Sequence, residues 1–127
     1  MSKNPLPACP CGGLCYADCC EPIHQGMPAR SAEALMRSRY SAYVLKLEDY
    51  LFATWHPDTR PAALDIADDD SKWLGLEVKR HEESADTATV EFVARYKIAG
   101  RAHRLHEISR FVRENGRWFY VDGVFPQ

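Results

Sequence analysis

The chain has 127 residues, with 46% apolar and 27% charged side chains and a formal net charge of −2. This is the make-up of one modest globular domain with a real core, so neither disorder nor a membrane span is implied, and no apolar run approaches the length of a transmembrane helix. The small net charge hides an asymmetry: acidic residues lead up to residue 94 and basic residues from 95 onward, and a basic end can attract phosphates.

All five cysteines fall within residues 9–20, as Cys9-Pro10-Cys11, Cys15 and Cys19-Cys20. Two tight pairs separated by a short loop can close a tetrahedral zinc shell, and Gly12-Gly13 lets that loop fold back sharply. A disulfide cluster and redox chemistry are the alternatives. Against disulfides, the N-terminus shows no apolar signal segment, so a cytoplasmic setting with reduced thiols is expected. An odd cysteine count also suits four ligands and one spare. The assigned ligands are Cys9, Cys11, Cys19 and Cys20, with Cys15 able to substitute for a neighbour. Four cysteines leave no open coordination position, so the zinc is expected to be structural.

Residues 22–28 read as an irregular connector, and with the shell complete His24 is assigned as a loop histidine. Residues 1–28 are thus the knuckle and its connector, and residues 29–127 the main domain. Ser31 offers an N-cap to a helix running to about Lys46. Its apolar arc holds Ala32, Leu35, Met36, Tyr40, Tyr43 and Leu47, and Arg39 lies inside that arc. A second helix, from about Glu48 to Trp55, stops at His56-Pro57 because the residue before proline is disfavoured in helix. Residues 61–70 read as a turn of helix and an acidic loop. Asp68-Asp69-Asp70 lacks the spaced ligands and the glycine of a calcium loop.

The second half alternates as strands do. Leu74, Leu76 and Val78 fall on one side of residues 73–81, and Ala88, Val90, Phe92, Ala94, Tyr96 and Ile98 on one side of residues 88–98. Gly100-Arg101 suits a two-residue type II′ turn and Asn115-Gly116 a type I′ turn. These turns set Ala94 opposite Glu107, Phe92 opposite Ser109, Val90 opposite Phe111, Phe111 opposite Tyr120 and Ser109 opposite Asp122. The two hairpins agree on one face. With two amphipathic helices to cover that face, the expected class is α+β, an antiparallel sheet under helices. Val93, Ile108, Val112, Phe119 and Val121 fall on the opposite face, where a second copy of the domain or the knuckle is expected to cover them.

Cys-Pro-Cys-Gly-Gly, a tyrosine ahead of the next cysteine and then Cys19-Cys20 resemble the SEC-C zinc motif at the C-terminus of the SecA motor. Residues 32–43 (Ala-Glu-Ala-Leu-Met-Arg-Ser-Arg-Tyr-Ser-Ala-Tyr), Glu107 to Phe111 and Trp118 to Gly123 resemble the YchJ-like bacterial family. That resemblance spans nearly the whole chain. It implies a SEC-C motif joined to a curved, cone-shaped domain similar to nuclear transport factor 2, with no established activity. The ligand loop is one residue shorter than the usual pattern. It also lacks the lysines that help the SecA version bind the acidic chaperone SecB, so that partner is not carried over.

The covered face also holds polar groups. Glu107, Ser109 and Asp122 sit among aromatics, as in a binding pocket with a few polar groups, and a desolvated carboxyl suits general acid or base work. Tyr43, Tyr120 and His56 are the other catalytic candidates. The alternative is that Glu107 pairs with Arg39, directly or through a single water, since each is unfavourable as a lone buried charge. Three functions follow. The favoured one is a zinc-binding adaptor without catalytic activity, docking a protein partner or a second copy. The second is a small-molecule-binding or catalytic cone, isomerase- or dehydratase-like by fold analogy alone, using Glu107. The third is nucleic-acid binding through Arg95, Lys97, Arg104 and Arg110, which is disfavoured because strands usually turn such charges to solvent.

Overall fold

A computed structural model describes residues 8–64 and 70–126. Asp68 and Asp69 of the acidic loop lie outside the described residues. In chain order come a 3-10 turn (Tyr16–Asp18), α1 (Cys20–His24), α2 (Ala32–Leu45), α3 (Glu48–Ala53), β1 (Lys72–Ser84), β2 (Thr87–Ile98), β3 (Arg101–Glu114) and β4 (Arg117–Val124). The strands form one antiparallel meander in the order β1-β2-β3-β4, and α2 packs across one face of it. The fold is α+β, as expected.

The helices follow local rules. Ser31 is extended, and its Oγ accepts from Ala34 N at 3.0 Å, satisfying one free donor of the first turn of α2. Lys46 ends α2 in the left-handed region at φ 60°. α3 stops at Ala53, short of His56-Pro57, because the chain there joins the sheet. His56 N donates to Tyr120 O at 2.7 Å and Tyr120 N to Thr54 O at 2.8 Å, which lays Trp55 beside Tyr120. The segment expected to be a plain connector begins inside α1, which runs on to His24. The start of α1 at Cys20 follows from the loop that presents the cysteines.

The sheet carries the expected face in β2: Ala88, Val90, Phe92 and Ala94 are buried against Leu35, Met36 and Tyr40 of α2. Three details differ from the sequence reading. The β2–β3 turn is Ala99-Gly100, with φ 51° and 80°, rather than Gly100-Arg101, so Ile98 opposes Arg101. This moves the register by two residues and sets Phe92 opposite Glu107 and Ala94 opposite Leu105. A shift of two preserves every face, since side chains alternate with period two. In β1 a bulge at Leu74 turns that residue outward, 53% exposed, and Trp73 takes the inward place beside Leu76 and Val78.

The third difference matters most for the site. The Asn115-Gly116 turn forms as expected, with φ 54° and 78°, and Phe111 opposes Tyr120. A bulge in β4 then intervenes, so that Ser109 faces Gly123 and Asp122 moves to the outer face opposite Arg110. There Arg110 Nε and Nη2 donate to the two Asp122 carboxylate oxygens, each at 2.6 Å.

On that outer face Val93 is fully buried while Ile108, Val112, Phe119 and Val121 are half-buried. Part of the cover comes from the chain itself. The His56 ring stands edge-on to Phe119 with centroids 6.0 Å apart, and Thr59 Oγ1 donates to Val121 O at 2.6 Å.

Candidate functional site

Two sites emerge, one on each side of α2. The first is the cysteine loop. Cys9 N donates to Gly13 O (3.1 Å) and Gly12 N to Cys9 O (3.0 Å), a tight reversal that needs Gly12 at φ 106°. A β-carbon on Gly13 would lie 2.7 Å from Cys19 Sγ, so only glycine allows the two halves of the loop to close. The 3-10 turn then delivers Cys19 and α1 delivers Cys20. The Sγ atoms of Cys9, Cys11, Cys19 and Cys20 all lie within 4.8 Å of one another, and Cys15 stands outside the group.

This geometry suits a shared metal ion better than covalent pairing. Cys11 and Cys19 sulfurs are 3.5 Å apart and those of Cys19 and Cys20 4.0 Å. A disulfide needs about 2.05 Å. Sulfurs about 2.3 Å from a tetrahedral ion are about 3.8 Å from one another, close to what is observed. Charge points the same way. The thiol of Cys20 hydrogen-bonds Cys11 and holds its pKa well down, against the effect of burial. Burial, with the neighbouring Cys11, pushes Cys19 up; for Cys20 the bond to Cys11 leads and burial adds to it. Without a cation the cluster thus favours a thiolate at Cys11 beside the thiols of Cys19 and Cys20, and a metal is what would let these ionise together.

Helix α2 is the floor of the cluster. Fully buried Ser41 places its Oγ 3.5 Å from Cys9 Sγ and donates to Cys20 Sγ at 3.3 Å. Arg37 Nη1 donates to Cys11 O at 3.2 Å while its Nε holds Glu33 at 2.9 Å. His24, assigned as a loop residue, instead ends α1 and clips the loop to α2. Its Nε2 bonds Ser38 O at 2.8 Å, and because a carbonyl only accepts, Nε2 carries the proton. Nδ1 of the neutral ring then accepts from Tyr16 Oη at 2.6 Å.

The second site is a cavity of about 280 Å³ between α2 and the sheet. Of the proposed polar groups, Tyr43, Glu107, Ser109 and Tyr120 all line it, with Arg39. Glu107 Oε2 accepts from Ser109 Oγ at 2.7 Å and from Tyr120 Oη at 2.9 Å. Burial raises the Tyr120 pKa, and the Glu107 charge adds to this, so Tyr120 is held as a donor. Gly123 is what admits the carboxylate, because a β-carbon there would overlap Glu107.

The direct form of the expected Arg39–Glu107 contact is not made, and Arg39 has other partners. Arg39 Nη1 donates to Leu51 O (2.9 Å) and Thr54 Oγ1 (2.7 Å), and its guanidinium lies against the rings of both Trp55 (5.1 Å) and Tyr120 (4.7 Å), which meet each other edge-on at 5.0 Å. Among the described residues no direct ion pair joins it to Glu107, although both line the same cavity. The helix end at Thr54-Trp55 satisfies the arginine first. Trp55 and Trp73 are cavity residues that the sequence reading left out of the site. A bridge to Tyr120 places the first and the β1 bulge the second, and neither has a local sequence signal.

Two other candidates lie elsewhere. Asp122 is on the outer face, paired with Arg110 as above. His56 faces away from the cavity, with Nε2 2.9 Å from Glu114. Of the basic residues, Arg95, Lys97 and Arg104 are exposed, with Arg95 directly opposite Arg104. A groove of about 610 Å³ at the end of the β1–β2 hairpin is lined largely by exposed Glu82, Glu83, Ser84 and Thr87 and gathers no buried polar groups.

An α+β sheet-and-helix domain with a clustered N-terminal cysteine loop defines the class. Residues 31–123 match the family described as "YchJ, middle NTF2-like domain". The chain is 59% identical to a UPF0225 protein of Bordetella pertussis, covering 97% of this chain and 98% of that one. It is 56% identical to a UPF0225 protein of Chromobacterium violaceum, with 96% of each covered. Among solved structures, a SEC-C motif-containing protein from Rhodopseudomonas palustris superposes with a TM-score of 0.85 at 38% identity, covering 95% of this chain and 100% of that one. A SEC-C motif-containing protein from Psychrobacter arcticus gives 0.80 at 32% identity, covering 97% and 85%. The chain belongs to the YchJ-like family.

Proposed function

We propose that this is a zinc protein in which Cys9, Cys11, Cys19 and Cys20 hold one structural ion. The observation that carries this is the mutual approach of four sulfurs within 4.8 Å. Thiolate ligands in a closed set of four select zinc in a reducing setting and leave no position for a substrate. The ion's role is then to fasten the N-terminal loop to α2, and any partner or ligand is met by another surface. Elemental analysis of the purified protein tests the assignment. One zinc per chain is expected in the wild type and in Cys15→Ser, with loss in Cys11→Ser; full retention in Cys11→Ser overturns it.

The cavity favours a second reading, that the cone-like half binds a small molecule. A converging set of buried polar groups in a mostly aromatic space is the usual form of a ligand site. Non-catalytic binding is the simpler form of this reading, because Glu107 is already engaged by two hydroxyls. Saturable thermal stabilisation by a small aromatic compound, lost when the cavity is filled in Ala94→Leu, is the expected result.

A further inference from the structure

We propose that the cavity beneath α2 takes a small, flat, uncharged molecule. Its one polar group accepts a hydrogen bond on the Arg39–Trp55 side and donates one to Glu107. This rests on the reading of the cavity as a ligand site and adds to it the chemistry of the ligand.

The first ground is charge. Arg39 and Glu107 are 6% and 7% exposed, line the same cavity and form no direct ion pair among the described residues. Their charges sum to zero. A ligand anion would meet Glu107 as well as Arg39, and a ligand cation Arg39 as well as Glu107, so a charged ligand gains no net attraction in return for its lost hydration. A neutral molecule avoids that penalty.

The second ground is hydrogen bonding. Arg39 engages Leu51 O and Thr54 Oγ1 through Nη1 and is within side-chain hydrogen-bonding reach of Tyr43, which still leaves some of the five N–H donors of a guanidinium for a ligand. Trp55 Nε1 is, among the described residues, a buried side-chain donor without any partner, on a residue that lines the cavity. A buried unpaired donor is a standing penalty that a ligand oxygen removes. At Glu107, on the sheet side of the cavity, both hydroxyl donors meet Oε2, which leaves Oε1 to accept from a ligand. A hydroxyl, or the paired C=O and N–H of a lactam, answers both sides at once.

The third ground is shape. Tyr40, Trp73, Phe92 and Phe111 supply aromatic walls, and about 280 Å³ lies just under the usual range of ligand pockets, which starts at about 300 Å³, so the ligand is small. Two fused rings are an appropriate size.

The test uses the full chain as purified and follows the indole N–H resonance of Trp55, assigned with Trp55→Phe, at about pH 7. The probes share one ring system: 2-naphthol, 2-naphthoate, protonated 2-naphthylmethylamine and 2-methoxynaphthalene. Saturable movement of the Trp55 signal by 2-naphthol is expected, with the other three weaker by about ten-fold or more. In the isosteric Glu107→Gln variant, which leaves the cavity with net positive charge, 2-naphthoate should gain on 2-naphthol by about ten-fold. If wild type binds the naphthoate or the amine as tightly as 2-naphthol, the uncharged-ligand inference falls while the cavity remains a ligand site. Equal binding of 2-methoxynaphthalene removes the bond to Glu107. If no probe moves the Trp55 signal, the ligand-site reading fails and this inference fails with it.

Discussion

A β-carbon at position 123 would overlap the Glu107 carboxylate, so the smallest side chain in β4 exists to admit the most polar group in the cavity. Gly123→Ala should therefore displace Glu107 from Ser109 and Tyr120 and destabilise the fold by about 1–3 kcal/mol, the usual range for overpacking, as read by urea denaturation. Arg39 is similarly specific. A planar guanidinium can lie against both Trp55 and Tyr120 while bonding Leu51 O and Thr54 Oγ1, whereas an ammonium cannot do all of this at once. Arg39→Lys should lower stability by about 2 kcal/mol in the same measurement. His24 sets a pH dependence. Burial lowers its pKa, with the Ser38 carbonyl opposing, so the folded chain binds a proton less readily than the unfolded one. Its contribution is complete above the unfolded value of about 6.5 and is lost as the pH falls below that value toward the lower folded one. Wild type should thus lose more stability than His24→Gln between about pH 7 and pH 5.

At the scale of elements, capping and turn chemistry decide where the chain starts and stops. Ser31→Ala removes the acceptor for Ala34 N and should lower stability by about 1 kcal/mol. The β2–β3 turn is less well matched to its residues than the β3–β4 turn. Both begin with a left-handed residue, but at Ala99 that residue is alanine, at φ 51°, whereas at Asn115 it is asparagine, at φ 54°. Asparagine tolerates this region better, so Ala99→Asn should stabilise by about 0.5–1 kcal/mol, read as a higher denaturation midpoint with unchanged slope. The two bulges have a different effect. Each changes which face the following residues occupy, turning Leu74 outward in β1 and Asp122 outward in β4.

For the molecule as a whole, α2 is shared between two sites. The Ser38 carbonyl and the Ser41 hydroxyl hold α1 and the cysteine loop, while Arg39, Tyr40 and Tyr43 line the cavity. Cys9, Cys11 and Cys20 belong to the same buried cluster as Leu35, Met36 and Val90. On the proposed metal assignment, a chelator should therefore abolish hydrogen-exchange protection in residues 9–24 and reduce it in α2, while β2 and β3 keep theirs. Protection unchanged throughout would mean that no ion fastens the loop. None of the helices in the described residues is long and apolar enough to cross a membrane.

Much of this was determined by local rules that a sequence carries in full. The cysteine spacing, the Ser31 cap, the period-two alternation of β2 and the Asn115-Gly116 turn each depend on residues near one another in the chain. For that reason the α+β class, the covered face and the four clustered thiols were legible, with Glu107, Ser109, Tyr43 and Tyr120 brought together as expected. The tertiary structure alone decided what lies around them. Whether Asp122 faces in or out turns on one extra residue in β4, and Trp55 joins the cavity through a backbone bridge to a strand more than sixty residues away. Arg39 and Glu107 were both legible as buried charges, but their contact was not. The partners available to Arg39 are a helix-end carbonyl, a hydroxyl and two rings, and it took those before the carboxylate. Alternation dictates a side for each residue; only packing dictates which neighbour it meets there.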